Sequence, residues 1–201
     1  MIGSILANRS AADRNKTDYY RTPPDVTIAL LDFLQKEERL FRLYDVIWEP
    51  ACGTGEMVEA MQEMGYRTIY SDLYPTGWRG EHEQFNFLTD FMNPNLYDWI
   101  ITNPPFSQAE YFIRRALELD VPFAFLLKSQ FWHARKRIEL FEKHPPAYVL
   151  PLTWRPDFLW GAKSGSPTME CIWTVWLGSD CITEYHPLRR PAVNPFDMEG
   201  V

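Results

Sequence analysis

Residues 101–106 read Ile-Thr-Asn-Pro-Pro-Phe and follow an apolar stretch, where a buried strand is expected to end. The Asn103 oxygen and the Pro104 carbonyl could each accept one hydrogen of a planar NH2 group, and the prolines would fix the turn. An aromatic amine is a poor nucleophile, so a site that methylates it depends on positioning and hydrogen bonding. Asn-Pro-Pro by itself is also an ordinary turn signal. The candidate catalytic residues are Asn103, Pro104, Pro105 and Phe106, the last as a stacking platform.

A glycine turn precedes this segment in the chain. Residues Val46–Glu56 read as a short apolar strand that runs into Gly53 and Gly55 and then into a helical stretch. Glycines let the backbone approach a ligand closely, and the following helix N-terminus favours a carboxylate. The third glycine of the dinucleotide fingerprint and a Gly-Lys-Ser/Thr are both absent, which argues against NAD and nucleoside triphosphates. Asp72 ends the next strand and suits a ribose diol.

Together these segments resemble the S-adenosylmethionine-dependent amino-methyltransferases of the DNA N6-adenine type. That family carries, in order, a proline-rich segment, the glycine turn, an acidic strand end and Asn/Asp-Pro-Pro-Phe/Tyr/Trp. The corresponding segments here are Asp18–Pro24, Glu49–Gly55, Asp72 and Asn103–Phe106. The resemblance covers about residues 17 to 177. It implies a Rossmann-like class I methyltransferase with S-adenosylmethionine as the cofactor.

The same resemblance assigns residues to the cofactor. Thr22 and its Pro-Pro turn would lie near the methionine end, and the glycine turn would lie beneath the cofactor. Asn86 and Phe87 stand where the family often has Asp-Phe/Trp-Leu beside the cofactor's adenine, and asparagine keeps an acceptor there but adds a donor pair. The implied cofactor-binding residues are Tyr20, Thr22, Pro23, Glu49, Ala51, Gly53, Gly55, Asp72, Asn86 and Phe87.

Composition narrows the class of protein only slightly. The chain has 201 residues and a formal net charge of -7, which suits one domain and argues mildly against a large nucleic-acid footprint. Cys52, Cys171 and Cys181 lack metal spacing and cannot all pair, and the four histidines are dispersed, so no metal site is expected. The apolar runs are too short for a bilayer, and no signal peptide is recognised. A soluble protein of a reducing cytoplasm, bacterial or phage-infected, is therefore expected.

Local basic residues offer candidate contacts to a nucleic acid. The run Trp154–Pro167 is expected to form a long flexible loop beside the active face, with Arg155, Lys163 and Ser166 as candidate substrate-binding residues. Its aromatic residues could stack against bases, or they could instead cap the core. Other basic clusters fall on expected helices, where solvated faces are the ordinary interpretation.

Apolar patterning predicts alternating strands and helices. The expected helices are 24–39, 56–64, 107–118 and 131–143, and the expected strands are 44–49, 67–71, 97–102, 121–127, 146–151 and 170–177. This alternation predicts a mainly parallel sheet that is covered on both faces, with the last two strands as an antiparallel hairpin at its edge. The expected division of the chain is a flexible arm at 1–16, the methyltransferase domain at 17–180 and an irregular tail at 181–201.

The expected activity is methyl transfer to the N6 amine of adenine in DNA. Neither the gap between Asp72 and Asn103 nor the tail is long enough for a target-recognition domain. A short or loose target, a partner subunit or a homodimer is therefore expected, and the chain is similar in this to orphan methyltransferases of phages and prophages. RNA adenine, protein glutamine and cytosine N4 are alternative planar amines, and a non-catalytic DNA-binding subunit is a further alternative.

Overall fold

Helices and strands alternate along the part of the chain that the computed structural model describes. That part comprises residues 18, 20–36, 41–42, 44–78, 84–158, 168–178 and 182–191. Its helices are α1 (Pro24–Lys36), α2 (Glu56–Glu63), α3 (Ala109–Leu119) and α4 (Ile138–Lys143). Its strands are β1 (Val46–Glu49), β2 (Arg67–Tyr70), β3 (Trp99–Thr102), β4 (Phe123–Lys128), β5 (Tyr148–Pro151), β6 (Cys171–Trp176) and β7 (Glu184–Tyr185).

The strands form a seven-stranded sheet in the order β2-β1-β3-β4-β6-β5-β7. Parallel pairing joins β1 to both β2 and β3, and it joins β3 to β4. β6 runs antiparallel between β4 and β5. The predicted Rossmann-like architecture, mainly parallel with an antiparallel hairpin near the C-terminus, is confirmed.

Side chains of the central strands alternate between two buried clusters, one on each face of the sheet. In β3, Trp99 and Ile101 belong to the first cluster, and Ile100 belongs to the second. The first cluster also contains apolar residues of α1 and α2, and the second contains the apolar face of α3. Because both faces are covered, the inner strands read as continuous apolar runs, which is why the sequence predicts them well.

The helix predicted for 131–143 is wrong in its first half. Two 3-10 turns, Ser129–His133 and Arg135–Arg137, precede the short α4. Ala134 between them is extended, with φ -95° and ψ 114°. The Arg137 guanidinium lies 3.8 Å from the Phe131 ring centroid, and its Nη1 donates to the Phe131 carbonyl at 3.0 Å. This side chain satisfies a carbonyl that a continuous α-helix would bond internally.

The predicted hairpin is not the edge of the sheet, because β7 pairs in parallel with β5. The backbone nitrogens of Glu184 and Leu188 donate to the carbonyls of Ala147 and Pro151, each at 2.8 Å. Residues 182–191 therefore include a strand where an irregular tail was predicted. Main-chain hydrogen bonds form this pairing, and they do not depend on side-chain type. A strand of two residues is also too short to show a side-chain pattern in the sequence.

The carboxyl ends of the four parallel strands meet at one edge of the sheet. Glu49, Tyr70, Thr102 and Lys128 are the last residues of these strands. Ligands of open α/β sheets bind at that edge. The predicted arm at 1–16 and residues 192–201 of the predicted tail lie outside the described residues. None of the described helices combines the length and apolarity that a membrane span requires.

Candidate functional site

A cavity of about 600 Å³ opens at the carboxyl edge of the sheet. The segment before α1, the turn after β1, the turn after β2 and the turn after β3 all contribute to its wall. The predicted site residues that line it are Tyr20, Thr22, Glu49, Ala51, Gly53, Asp72, Asn86, Phe87, Asn103, Pro104 and Pro105. Pro23, Gly55 and Phe106 are adjacent in sequence to lining residues but are not themselves part of the wall. The structure thus brings together four segments that are distant in the chain.

The glycine turn has the positive backbone angles that its sequence predicts. Gly53 has φ 54° and Gly55 has φ 87°, a region that residues with a Cβ rarely adopt. Gly55 is also the N-cap of α2. A Cβ built on Gly55 would lie 2.0 Å from the Trp78 indole, so the lack of a Cβ at this position makes room for the Trp78 side chain.

Asp72 ties the end of β2 to the glycine turn. Its Oδ2 accepts from the Gly53 nitrogen at 2.8 Å, and its Oδ1 accepts from the Tyr74 nitrogen at 2.9 Å. Each carboxylate oxygen has a second lone pair, so the pair can still accept from hydroxyl groups. The Phe85 nitrogen donates to the Asp72 carbonyl at 2.9 Å, which brings the segment that contains Asn86 to the cavity.

Asn86 and Phe87 differ in how they reach the cavity. The Asn86 Oδ1 accepts from the Leu88 nitrogen at 3.1 Å, which fixes the side chain in a local turn and leaves one lone pair of the predicted acceptor. Phe87 is buried and stacks on Phe112 of α3, with ring centroids 4.8 Å apart. Phe87 therefore contributes an apolar wall that packing has fixed in place.

Glu49 is fully buried at the end of β1. Its Oε1 accepts from the Thr102 hydroxyl at 2.5 Å and from the Ala51 nitrogen at 3.0 Å, whereas its Oε2 has no partner among the described residues. Burial raises the pKa of this carboxyl to about 8. The hydrogen bonds from Thr102 and Ala51 lower the pKa, and the negative charge of Asp72 raises it, but both effects are smaller than that of burial. The side chain is therefore largely protonated at neutral pH.

Four carboxyl side chains line the cavity. They are Asp18, Glu49, Glu56 and Asp72, and no lysine or arginine is among the described lining residues. Glu56 is paired with Arg21, whose Nε lies 2.5 Å from the carboxylate. The nearby Cys52 thiol has a raised pKa, mainly because it is buried. Such a cavity favours a ligand that carries positive charge.

Asn103 lines the cavity, and hydrogen bonds fix the orientation of its side-chain amide. Its Nδ2 donates to the Thr22 hydroxyl at 2.9 Å and to the Tyr20 carbonyl at 3.4 Å. Its Oδ1 is buried and has no hydrogen-bond partner among the described residues. Two contacts thus fix the amide by its nitrogen and leave its oxygen as an unused acceptor. A buried acceptor without a partner costs free energy, which is the kind of cost that functional sites carry.

Sequence analysis missed Lys128, a cation beside the rings of Phe106 and Tyr20. The Lys128 Nζ lies 4.1 Å from the Phe106 ring centroid and 5.0 Å from the Tyr20 ring centroid. Tyr20 also contacts Phe106 at 5.1 Å and Phe158 at 5.9 Å between centroids. A signal was available, because Lys128 ends an apolar run just as Asn103 follows one, and parallel strand ends meet at one edge.

The predicted substrate-binding residues lie apart from this cavity or outside the described residues. Arg155 is exposed, is not among the lining residues and forms an ion pair with Glu170 at 2.8 Å. Lys163 and Ser166 lie outside the described residues. Within the part of the chain that the structure describes, no group of three His, Cys, Asp or Glu side chains could hold a metal ion.

The structure resembles solved methyltransferases, whereas no protein-family model and no curated protein sequence matches the chain. A candidate RNA methyltransferase from Pyrococcus horikoshii is 16% identical with a TM-score of 0.57, over 81% of this chain and 88% of that chain. Magnesium protoporphyrin IX methyltransferase from Synechocystis, with bound S-adenosylmethionine, is 12% identical with a TM-score of 0.53. The match covers 89% of this chain and 98% of that chain.

A third match is a candidate class I S-adenosylmethionine-dependent methyltransferase from Listeria monocytogenes. It is 12% identical with a TM-score of 0.54, over 84% of this chain and 66% of that chain. This chain thus spans just under two thirds of the Listeria protein's length. At these identities the likeness concerns the fold. The chain has the fold of the class I S-adenosylmethionine-dependent methyltransferases, as its sequence predicts.

Proposed function

We propose that this protein transfers a methyl group from S-adenosylmethionine to the N6 amine of adenine in DNA. The observation that carries the proposal is the state of Asn103. Its amide nitrogen is bonded to Thr22 and Tyr20, and its buried oxygen is an unused acceptor beside Pro104. An acceptor fixed in this way, next to a rigid proline turn and an aromatic ring, suits a planar NH2 group.

S-adenosylmethionine suits the cavity in charge and in hydrogen bonding. Its sulfonium and ammonium outweigh its one carboxylate, and the lining contains four carboxyls and no described lysine or arginine. The Asp72 carboxylate would serve as an acceptor, and so would the unpartnered Glu49 Oε2 once the bound cation lowers the pKa of Glu49 and the carboxyl ionises. Thr22 would adjoin the methionine end, and Phe87 would adjoin the adenine. When bound, the cofactor supplies an electrophilic methyl group on sulfur and leaves as S-adenosylhomocysteine.

The chain's own residues would act mainly by positioning the target. Phe106 would stack on the adenine, and Asn103 Oδ1 and the Pro104 carbonyl would each accept one N6 hydrogen. These bonds favour a tetrahedral nitrogen whose lone pair is free to form the N–C bond as the S–C bond breaks. The surplus N6 proton then leaves to water. Base flipping costs roughly a few kcal/mol, which stacking and hydrogen bonds in the pocket offset.

Adenine in DNA is the preferred target because the four motif segments occur in the order of that family and because residue 106 is Phe rather than Tyr. RNA adenine and protein glutamine present similar planar amines, so they are outcomes of the same test. A partner subunit or a second copy would supply any long target specificity.

The test is transfer of labelled methyl from S-adenosylmethionine to unmethylated double-stranded DNA, with nucleoside analysis of the product. We expect N6-methyladenine from the wild type. Asn103→Ala removes the acceptor, and we expect it to lower turnover at least roughly a hundredfold while cofactor affinity changes by less than about threefold.

The matched control is Asn95→Ala, an exposed asparagine away from the cavity, which should behave as wild type. Wild-type turnover in Asn103→Ala would remove the proposed role of this residue. Cofactor binding without transfer to DNA would redirect the assay to RNA and protein substrates, and absence of saturable cofactor binding would favour a non-catalytic subunit.

A further inference from the structure

Lys128 lies at the target end of the site and has no assigned role. We propose that its ammonium binds a phosphodiester group of the nucleic-acid strand that carries the target base, an inference that rests on the proposed function. The Nζ lies 4.1 Å from the Phe106 ring centroid and 5.0 Å from that of Tyr20. The cation therefore lies against the ring on which the target base would stack.

The register of the sheet explains how Lys128 reaches this position. Thr102, the last residue of β3, pairs with Phe125 of β4, and β4 continues to Lys128. At a rise of about 3.3 Å per residue, Lys128 lies roughly 10 Å beyond that pair along the strand. β4 therefore extends past the end of β3, and its last side chain can fold over the Asn-Pro-Pro-Phe turn that follows Thr102.

The charge of Lys128 is not neutralised within the described part of the molecule. The ion pairs formed there join other residues, and Lys128 takes part in none of them. Its described partners are ring faces, which attract a cation but carry no net charge. The side chain is partly buried, so water screens the ammonium less than it screens an exposed lysine. The site thus presents an ammonium that an anion could engage.

A nucleotide brings such an anion with it. When a base stacks on Phe106, the ammonium has to leave part of that ring, and the flexible four-carbon stem lets it turn to the phosphate beside the base. The cavity that would hold the cofactor is lined by carboxyls and offers a phosphate no attraction. A glutamine side chain is itself neutral, whereas every nucleotide within a strand carries a phosphate. The cation therefore favours a nucleic-acid substrate over a protein one.

The test compares Lys128→Met, which keeps the apolar stem, with Lys128→Arg, which keeps the charge. Binding of labelled adenine-containing DNA and RNA oligonucleotides is measured against salt concentration, together with KM and kcat for methyl transfer. For Lys128→Met we expect about a five- to tenfold weaker affinity and a salt slope lower by roughly 0.7 to 0.9. Cofactor affinity should stay unchanged, and Lys128→Arg should stay near wild type. Lys143→Met, an exposed lysine on α4, is the matched control.

The outcomes separate this inference from the proposed function. If Lys128→Met keeps the wild-type affinity and salt slope, or if both Lys128 variants weaken binding with an unchanged slope, the phosphate contact is refuted. If the wild type binds an oligonucleotide with a Lys128-dependent slope yet transfers no methyl group, the contact stands and the proposed function fails. Loss of affinity for only DNA or only RNA identifies which strand supplies the phosphate. A wild type that binds neither refutes the contact.

Discussion

The orientation of the Asn103 amide depends on one hydroxyl group. The two ends of an asparagine amide have nearly the same shape, so hydrogen-bond partners decide which end faces a ligand. Thr22 is buried and accepts from Asn103 Nδ2 at 2.9 Å, whereas the second contact, to the Tyr20 carbonyl, is longer at 3.4 Å. Thr22 therefore keeps the oxygen available at the target end.

We expect Thr22→Val to lower kcat roughly tenfold, because the amide loses its stronger anchor, an effect of about 1 to 1.5 kcal/mol. Saturating cofactor removes any contribution of Thr22 to cofactor binding from this kcat comparison. Thr22→Ser keeps the hydroxyl and should stay close to wild type. Steady-state kinetics at saturating cofactor measures the effect, and equal kcat values for the Val and Ser variants would contradict the anchoring role.

At the scale of elements, α2 has a positive-φ glycine at each end, but the two positions differ in their surroundings. Gly55 has φ 87°, and a Cβ there would meet the Trp78 indole at 2.0 Å. Gly65 has φ 89°, and a Cβ there would meet nothing within 4 Å. The Trp78 indole is held in turn by a hydrogen bond to Glu59 at 2.9 Å. An alanine at Gly65 would therefore cause backbone strain alone, whereas an alanine at Gly55 would cause both strain and a steric clash.

We expect Gly65→Ala to lower the free energy of unfolding by about 1 kcal/mol, from backbone strain alone. Gly55→Ala should cost roughly 2 to 4 kcal/mol, because overpacking against Trp78 adds to the strain. Urea unfolding of both variants gives the comparison. Gly55→Ala should also weaken cofactor binding, since the glycine turn must shift. Equal losses of stability in the two variants would show that Trp78 moves aside freely.

The same elements show which features the sequence could and could not predict. The inner strands were predictable, because strands that are buried on both faces consist of continuous apolar runs. The position of Asn103 was predictable, because the carboxyl ends of parallel strands lie at one edge of the sheet. The apolar run that Lys128 ends indicates the same edge of the sheet, but its position against the Phe106 ring depends on how far β4 extends past β3, which the sequence does not show. The contact between Gly55 and Trp78 was missed for a similar reason, because a contact between two loop residues leaves no periodic signal in the sequence.

At the scale of the whole molecule, charge is divided between two ends of one site. Acidic side chains line the cavity proposed for the cofactor, and the Lys128 ammonium lies at the end proposed for the target. This division suits a cationic donor and an anionic strand. The net charge of -7 would oppose binding to a nucleic acid over most of the surface, so local cations have to direct the strand.

Glu49 links this charge distribution to global stability. Its pKa is raised from 4.5 to about 8, so between these values the native state holds a proton that the unfolded state has released. The native state then binds more protons, and the free energy of unfolding falls as pH rises through this window. Below about pH 4.5 both states are protonated and the contribution is fully present, and above about pH 8 it is lost.

Glu49→Gln keeps an acceptor for Thr102 and Ala51 but cannot ionise. Without cofactor, we expect the variant to gain stability relative to wild type as pH rises from about 5 to about 9, by an amount on the order of a few kcal/mol. Urea unfolding at a series of pH values measures the difference. Saturating S-adenosylmethionine should reduce it, because a cationic ligand favours the ionised carboxylate and so lowers the pKa of Glu49. A difference that does not vary with pH would mean that Glu49 is ionised throughout, and the buried carboxyl would then need a positive partner in the native protein.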